Sequence, residues 1–299
     1  MKNPAIHSSL HPLSGCTLSR ITAALLAALT LTITGCKNFN PSAEQITAVG
    51  NLALSAAQIA SMYRQNDGVK RVSLCVGIYS NSMYGYCDGA DLDATRDAAL
   101  FHQLGFDRGI TLLNGDATRA KIVTAGTALC SGLKSNDLFV ISLSSHGGQT
   151  PDLSGDETTG YDQYFSAADG PILDDDIARL IAYIPCRILF KVDTCHSGSM
   201  YRSPHNYAAA IKNRIRNARL EKEVFTGSML FIAGCAENTV SYGNKQTGGQ
   251  LSYTMHTLIP KASSYDHWCT LIQANMPPTQ IPVITKIGSP DFGHQPLFY

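Results

Sequence analysis

Two uninterrupted apolar runs limit how this chain can fold more than any other feature. Asp137-Leu138-Phe139-Val140-Ile141-Ser142-Leu143-Ser144 runs into Ser145-His146-Gly147-Gly148, and Arg187-Ile188-Leu189-Phe190-Lys191-Val192 runs into Asp193-Thr194-Cys195-His196-Ser197-Gly198-Ser199. Such short apolar segments, closed by turn-forming residues, read as buried strands. If the two lie parallel, an imidazole and a thiol reach the same carboxyl-end edge, the crevice where open α/β sheets bind ligands. A cysteine beside a histidine is the arrangement that nucleophilic thiol chemistry needs.

The surrounding pattern supplies the sheet. Arg71 to Tyr79 reads as a first buried strand, and Asp93 to Leu104 as a helix with Ala94, Ala98, Phe101 and Leu104 on one face, stopped at Gly105. Gly109 to Leu113 is a short strand. Asp116 is expected to cap a helix burying Ile122, Ala125, Leu129 and Leu133. An acidic loop then leads to a helix over 174–184, Ser228 to Gly234 returns to the sheet, and Gly248-Gly249 precedes another helix. The proline-rich tail from Pro277 is expected to add an edge strand. Strands alternating with helices predict an α/β fold, a mostly parallel sheet with helices on both faces.

Composition excludes other classes. Lys and Arg number 23 against 23 Asp and Glu, so no chain-wide field attracts a polyanion, and no basic stripe interleaved with aromatics marks a nucleic-acid surface. There is no phosphate loop or dinucleotide fingerprint. Zinc is a competing reading of His146, Cys195 and His196, but no second Cys or His pair with ligand spacing accompanies them. Nothing in the sequence specifies an oligomer.

Four segments together resemble the catalytic region of type I metacaspases, relatives of the caspases: His146 to Thr150, Asp152 to Glu157, Gly170 to Asp176, and Asp193 to Ser199. The resemblance runs from about Arg71 to Tyr299, with Gly89 to Ala94 and Asp116 to Arg119 like the first two helix entries, and Gly234-Cys235 and Gln280-Ile281-Pro282 like the closing strands. It implies a caspase-like fold and a cysteine endopeptidase acting on protein or peptide substrates through a His146/Cys195 dyad. In that chemistry His146 lowers the pKa of the Cys195 thiol and then protonates the leaving amine. The backbone N–H groups of Gly147 and Cys195 hold the oxyanion. The resemblance further implies a substrate pocket lined by Asp93, Ser144 and Asp193, whose carboxylates select Arg or Lys before the scissile bond. Three carboxylates, Asp162, Asp174 and Asp175, match the family's calcium ligands, but the fourth position is Arg202, a cation where an acid is expected, so calcium dependence is expected to be weak. Ser145 replaces the glycine usual before the histidine and is expected to crowd the oxyanion loop. The competing reading is a catalytically silent caspase-like lipoprotein that binds a partner.

The first 36 residues read as an export signal: Lys2 and Arg20 precede an uncharged apolar run, Ile21 to Thr34, which closes in Ile33-Thr34-Gly35-Cys36, similar to the lipobox of bacterial lipoproteins. Residues 37–68 read as a tether with one amphipathic helix, and residues 69–299 as the peptidase domain. Lys37, following the cysteine, favours the outer membrane as the destination. Of nine cysteines, Cys75, Cys130 and Cys235 fall on apolar faces and read as small core residues. Self-cleavage is expected between Met200 and Thr226, where Arg202, Lys212, Arg214, Arg216, Arg219 and Lys222 cluster.

If Cys36 carries the lipid, Cys36→Ala releases the protein from membranes. Intact mass and membrane partition of that variant are the measurements, and an unchanged mass with unchanged partition excludes the anchor.

Overall fold

The computed structural model describes residues 67–81, 83–153, 157, 159–200, 227–289 and 291–298. The expected signal, Cys36, nearly all of the tether, Arg202 and the basic segment after Met200 lie outside these residues.

The elements, in chain order, are β1 (Arg71–Gly77), β2 (Ser80–Asn81), β3 (Gly85–Tyr86), α1 (Ala90–Gln103), β4 (Arg108–Leu113), α2 (Arg119–Cys130) and β5 (Leu138–Ser144). They continue with β6 (Gly147–Pro151), β7 (Tyr161–Ala167), β8 (Gly170–Leu173), α3 (Asp174–Ala182), β9 (Arg187–Asp193) and β10 (Ser228–Ala233). The last are β11 (Gly243–Asn244), β12 (Gly248–Gly249), α4 (Gln250–Leu258), α5 (Tyr265–Asn275), β13 (Val283–Ile287) and α6 (Asp291–His294).

Six strands form the central sheet in the order β13-β10-β9-β5-β1-β4. All neighbours pair parallel except β13, which runs antiparallel to β10 at the edge. Side chains alternate across each strand, and both faces are buried. Phe139, Leu143, Ile188, Phe190 and Val192 pack with Ile122, Leu129, Ile177 and Ile181 of α2 and α3. Leu138, Val140, Leu189 and Leu230 pack on the other face with Phe101 of α1, Leu251 and Met255 of α4, and Trp268 of α5. Burial on both sides is what the near-continuous apolar strands reflect.

On the second face the alternation carries a change of chemistry. Toward the carboxyl end the inward residues of β5 and β9 become Ser142, Ser144, Lys191 and Asp193, all buried. The fold is thus the expected α/β arrangement, a mostly parallel sheet with helices on both faces, with one end of one face given over to polar groups.

Three expectations change. The acidic loop is largely a second sheet, β6-β7-β8, antiparallel throughout. Its mixture of Gly, Pro, Asp and Thr hides strand character because pairing with neighbours, and not intrinsic propensity, holds it. Asp116 does not cap α2: it lies in a short 3-10 turn and pairs with Lys121, while Thr118 Oγ1 accepts from the Lys121 N–H at 3.3 Å. The closing resemblance at Gln280 is not a strand, since β13 begins at Val283.

Phe190 is fully buried and meets Phe231 edge-on at 5.3 Å. Phe190→Ala should therefore cost about 3–5 kcal/mol by denaturant unfolding; a loss below about 1 kcal/mol would show that this face repacks freely.

Candidate active site

Parallel pairing of β5 with β9 sets Ser144 opposite Asp193. His146 and Cys195 each follow two residues later, so both leave the sheet at one level on adjacent strands. Immediately after the histidine, the chain runs against the cysteine turn: a Cβ added at Gly147 would lie 2.3 Å from the Cys195 carbonyl oxygen and 2.7 Å from Thr194 Oγ1. Glycine is needed there for the approach. Ser145 is accommodated because its Oγ turns to β7 and donates to the Ser166 carbonyl at 2.8 Å, so it does not crowd the oxyanion loop as expected.

His146 Nε2 lies 3.0 Å from the Tyr86 carbonyl oxygen. A carbonyl only accepts, so Nε2 carries the hydrogen and Nδ1 is left as the acceptor. The group that orients the histidine is thus a backbone oxygen on β3 and not a side chain. Tyr84 stands over the imidazole with ring centroids 6.1 Å apart and stacks on Tyr164 at 5.9 Å.

Cys195 is half-buried, and the Ser241 N–H points at its sulfur from 3.4 Å. Burial pushes the thiol above its ordinary pKa, the Ser241 N–H pulls it part of the way back, and Cys235 and Asp193 add to the rise. This is the reverse of the lowering expected from His146. His196 sits in a left-handed conformation (φ 54°), with Nδ1 2.7 Å from the Glu237 carbonyl, and shapes the loop.

Directly behind the cysteine, Asp93, Ser144 and Asp193 come together. Ser144 Oγ donates to Asp93 at 2.7 Å, and the Gly249 N–H donates to both Asp93 oxygens at 3.0 and 3.1 Å. Asp193 accepts from Ser241 Oγ at 2.6 Å and from the Ser252 N–H and Oγ at 2.9 and 2.8 Å. Burial pushes the Asp93 carboxyl up to about 7; Lys191 opposes the rise and Asp193 adds to it. A Cβ at Gly249 would lie 2.2 Å from Asp193 Oδ2, which explains the glycine pair before α4. Ser241, Gly249 and Ser252 escape sequence reading because they are over 45 residues from Cys195. Gln280 escapes likewise, though it fixes Ser241 by donating to its Oγ at 2.8 Å and to the Gly234 carbonyl at 3.0 Å.

Among the described residues, one acidic cluster suits a metal: carboxylate oxygens of Glu157, Asp162 and Asp174 lie within 4.8 Å of one another. Glu157, from the loop between β6 and β7, stands in this group where Asp175 was expected. Burial pushes Asp174 up to about 8, with Asp162 and Asp175 adding to the rise. Converging, desolvated hard oxygen donors fit calcium.

Comparison with known proteins places this geometry among relatives. Residues 70–288 match the caspase domain family. Metacaspase-1 of Cryptococcus neoformans is 34% identical over 216 residues, covering 67% of this chain and 45% of that protein. Metacaspase-1 of Botryotinia fuckeliana is 29% identical over 221 residues, covering 66% and 52%. The chain spans about half the length of these curated relatives. A crystal structure of a Geobacter sulfurreducens protein superposes with a TM-score of 0.62 at 26% identity, covering 77% of this chain and 98% of that one.

A raised carboxyl makes the folded state lose stability as pH rises. The contribution of Asp174 is fully present below its unfolded value of about 4 and is gone above about 8. Melting temperature in chelator should therefore fall across that window in wild type and fall less in Asp174→Asn. Calcium should restore the wild type at the alkaline end and not the variant; equal responses would show that the cluster binds no cation.

Proposed function

The chain belongs to the caspase domain family of cysteine peptidases, and on that premise we propose that it is an endopeptidase cleaving after arginine or lysine through His146 and Cys195. The observation that carries the specificity is the pair of buried acids behind the nucleophile. Among the described residues, neither Asp93 nor Asp193 accepts a hydrogen bond from a cationic side chain; their partners are hydroxyl and amide donors. Two such buried carboxylates beside the nucleophile would be compensated by a guanidinium or ammonium supplied by substrate.

Catalysis follows from the arrangement. Substrate binding brings the scissile carbonyl carbon to Cys195 Sγ, and His146 Nδ1 takes the thiol proton as the C–S bond forms. The Tyr86 carbonyl, bound to Nε2–H, steadies the imidazolium that results. Oxyanion charge falls to the backbone N–H groups of Gly147 and Cys195. His146 then returns the proton to the leaving amine, and water, deprotonated by the same imidazole, hydrolyses the thioester.

Calcium, if bound by Glu157, Asp162 and Asp174, would neutralise the acids that tie the β6–β7 loop to the start of α3; it would touch no reacting atom. The lipid on Cys36 would hold the enzyme at the outer membrane, facing protein substrates of the envelope.

Matched fluorogenic peptides with Arg, Lys, Asp or Leu before the scissile bond test the reading. Arg and Lys peptides should be cleaved at least about tenfold better than Asp or Leu, and Asp193→Ala should erase most of that ratio. A preference for Asp or Leu, or a full Arg preference retained in Asp193→Ala, would be decisive against it.

A further inference from the structure

The polar end of the second face is built in two tiers. On β5 the inward residues are Ser142 and Ser144, and on β9 Lys191 and Asp193, with Ser142 opposite Lys191 and Ser144 opposite Asp193. The helices repeat the pattern one turn apart: Asp93 and Asp97 on α1, Ser252 and His256 on α4. Four helical residues rise about 6 Å and two strand residues about 6.6 Å, so the repeats keep step. The upper tier is the pocket, Asp93, Ser144, Asp193 and Ser252. In the lower tier Asp97 takes Lys191 Nζ at 2.6 Å, His256 Nε2 at 2.6 Å and Ser142 Oγ. Below it the lining is apolar, with Leu100, Phe101, Val140, Leu189 and Met255.

An ammonium 3% exposed is costly unless it is paired. Asp97 pairs it, but a hydrophobic pair would fill the same space, so packing alone does not call for a charge here. The charges in and beside the tiers give a reason. Three carboxylates, Asp93, Asp97 and Asp193, face two fixed cations, Lys191 and Arg96, the latter held by the Thr247 and Gln246 carbonyls. With all three ionised, the carboxylates outnumber these two fixed cations by one, the complement of one basic side chain.

We propose that the lower tier sets the charge of the upper one: Lys191, held by Asp97, which His256 holds in turn, is a positioning residue that lets Asp93 give up a proton and take a substrate arginine or lysine in exchange, on the reading that Asp93 and Asp193 form the specificity pocket.

The charged and titratable groups that act on Asp93 are Arg96 and Asp97 on α1, Lys191 and Asp193 on β9, and Cys87 on the loop before α1, while Tyr253 and His256 of α4 act on Arg96 and Asp97, and Cys195 on Asp193 and Cys87. Burial works against charge on both partners of the lower tier. Lys191 and His256 nonetheless hold Asp97 below the usual carboxylate range, and Asp97, Asp93 and Asp193 hold Lys191 above its own. The lower tier therefore stays charged. Lys191 is the largest influence opposing the rise at Asp93, which reaches about 7. Near neutral pH the pocket then exchanges a proton for the substrate cation, and without Lys191 the proton is held to higher pH.

The test is the pH dependence of KM for an arginine peptide, from about pH 5 to about pH 9, on wild type, Lys191→Met, Lys191→Arg and the pair deletion Asp97→Asn with Lys191→Met, each checked for a cooperative melt. In wild type KM should fall as pH rises through about 7. In Lys191→Met that limb should move alkaline by about one unit or more, with kcat at the alkaline end within about threefold. Lys191→Arg should return the wild-type limb. The pair deletion, which also serves if the single variant does not fold, should shift the same way by less. A folded Lys191→Met or pair deletion with an unmoved limb overturns the role of Lys191. A wild type with no preference for Arg or Lys overturns the pocket reading instead, so the two failures are distinct.

Discussion

In-register parallel pairing of β5 and β9, from Leu138 opposite Arg187 to Ser144 opposite Asp193, is the constraint on which the sheet edge depends. Because side chains alternate with a period of two, slipping one strand by a residue would exchange its faces, sending Phe190 and Val192 to the face of α1 and α4 and Lys191 and Asp193 into the fully apolar core on the other. The large aromatic residues forbid that slip. The packing of Phe139, Phe190 and Phe231 on one face thus fixes where His146, Cys195 and Asp193 stand on the edge and on the other.

Approach distances add a second layer of control. Gly147 lets the chain after the histidine touch the cysteine turn, Gly249 lets α4 begin between two carboxylates, and Gly77 lets α1 cross the end of β1 with Ala90 O only 2.4 Å from where a Cβ would be. In each case backbone must approach what a side chain would block, so the site is assembled from main chain as much as from functional groups. The Tyr86 carbonyl at His146 and the Ser241 N–H at Cys195 belong to the same category. Main-chain groups of this kind are preorganised by the elements they leave and lose little freedom when substrate arrives.

Burial does two opposed things at this edge. It raises both the Cys195 thiol and the Asp93 carboxyl, favouring the uncharged form of each. It also strengthens every interaction a substrate then makes, because those groups meet it with little intervening water. At the acid cluster of Glu157, Asp162 and Asp174 the same desolvation holds a proton that a hard cation would displace.

Much was legible in the chain itself. The strands, the layered α/β class and the delivery of His146 and Cys195 to one edge follow from local hydrophobic runs closed by glycine, since burial on both faces writes itself into a few consecutive residues. Asp93, Ser144 and Asp193 were reachable through resemblance, because they sit close to recognisable segments. What tertiary structure alone decided is what depends on partners distant in sequence. The β6-β7-β8 sheet exists through pairing, not propensity. Glu157 joins Asp162 and Asp174 in one acid cluster only in three dimensions. Ser241, Gly249, Ser252 and Gln280 reach the site from another part of the chain. Lys191 shows the division most clearly: in sequence it is a lone charge in an apolar run, and only the register of two strands with two helices places Asp97 against it, His256 on Asp97, and the paired acids Asp93 and Asp193 one tier above.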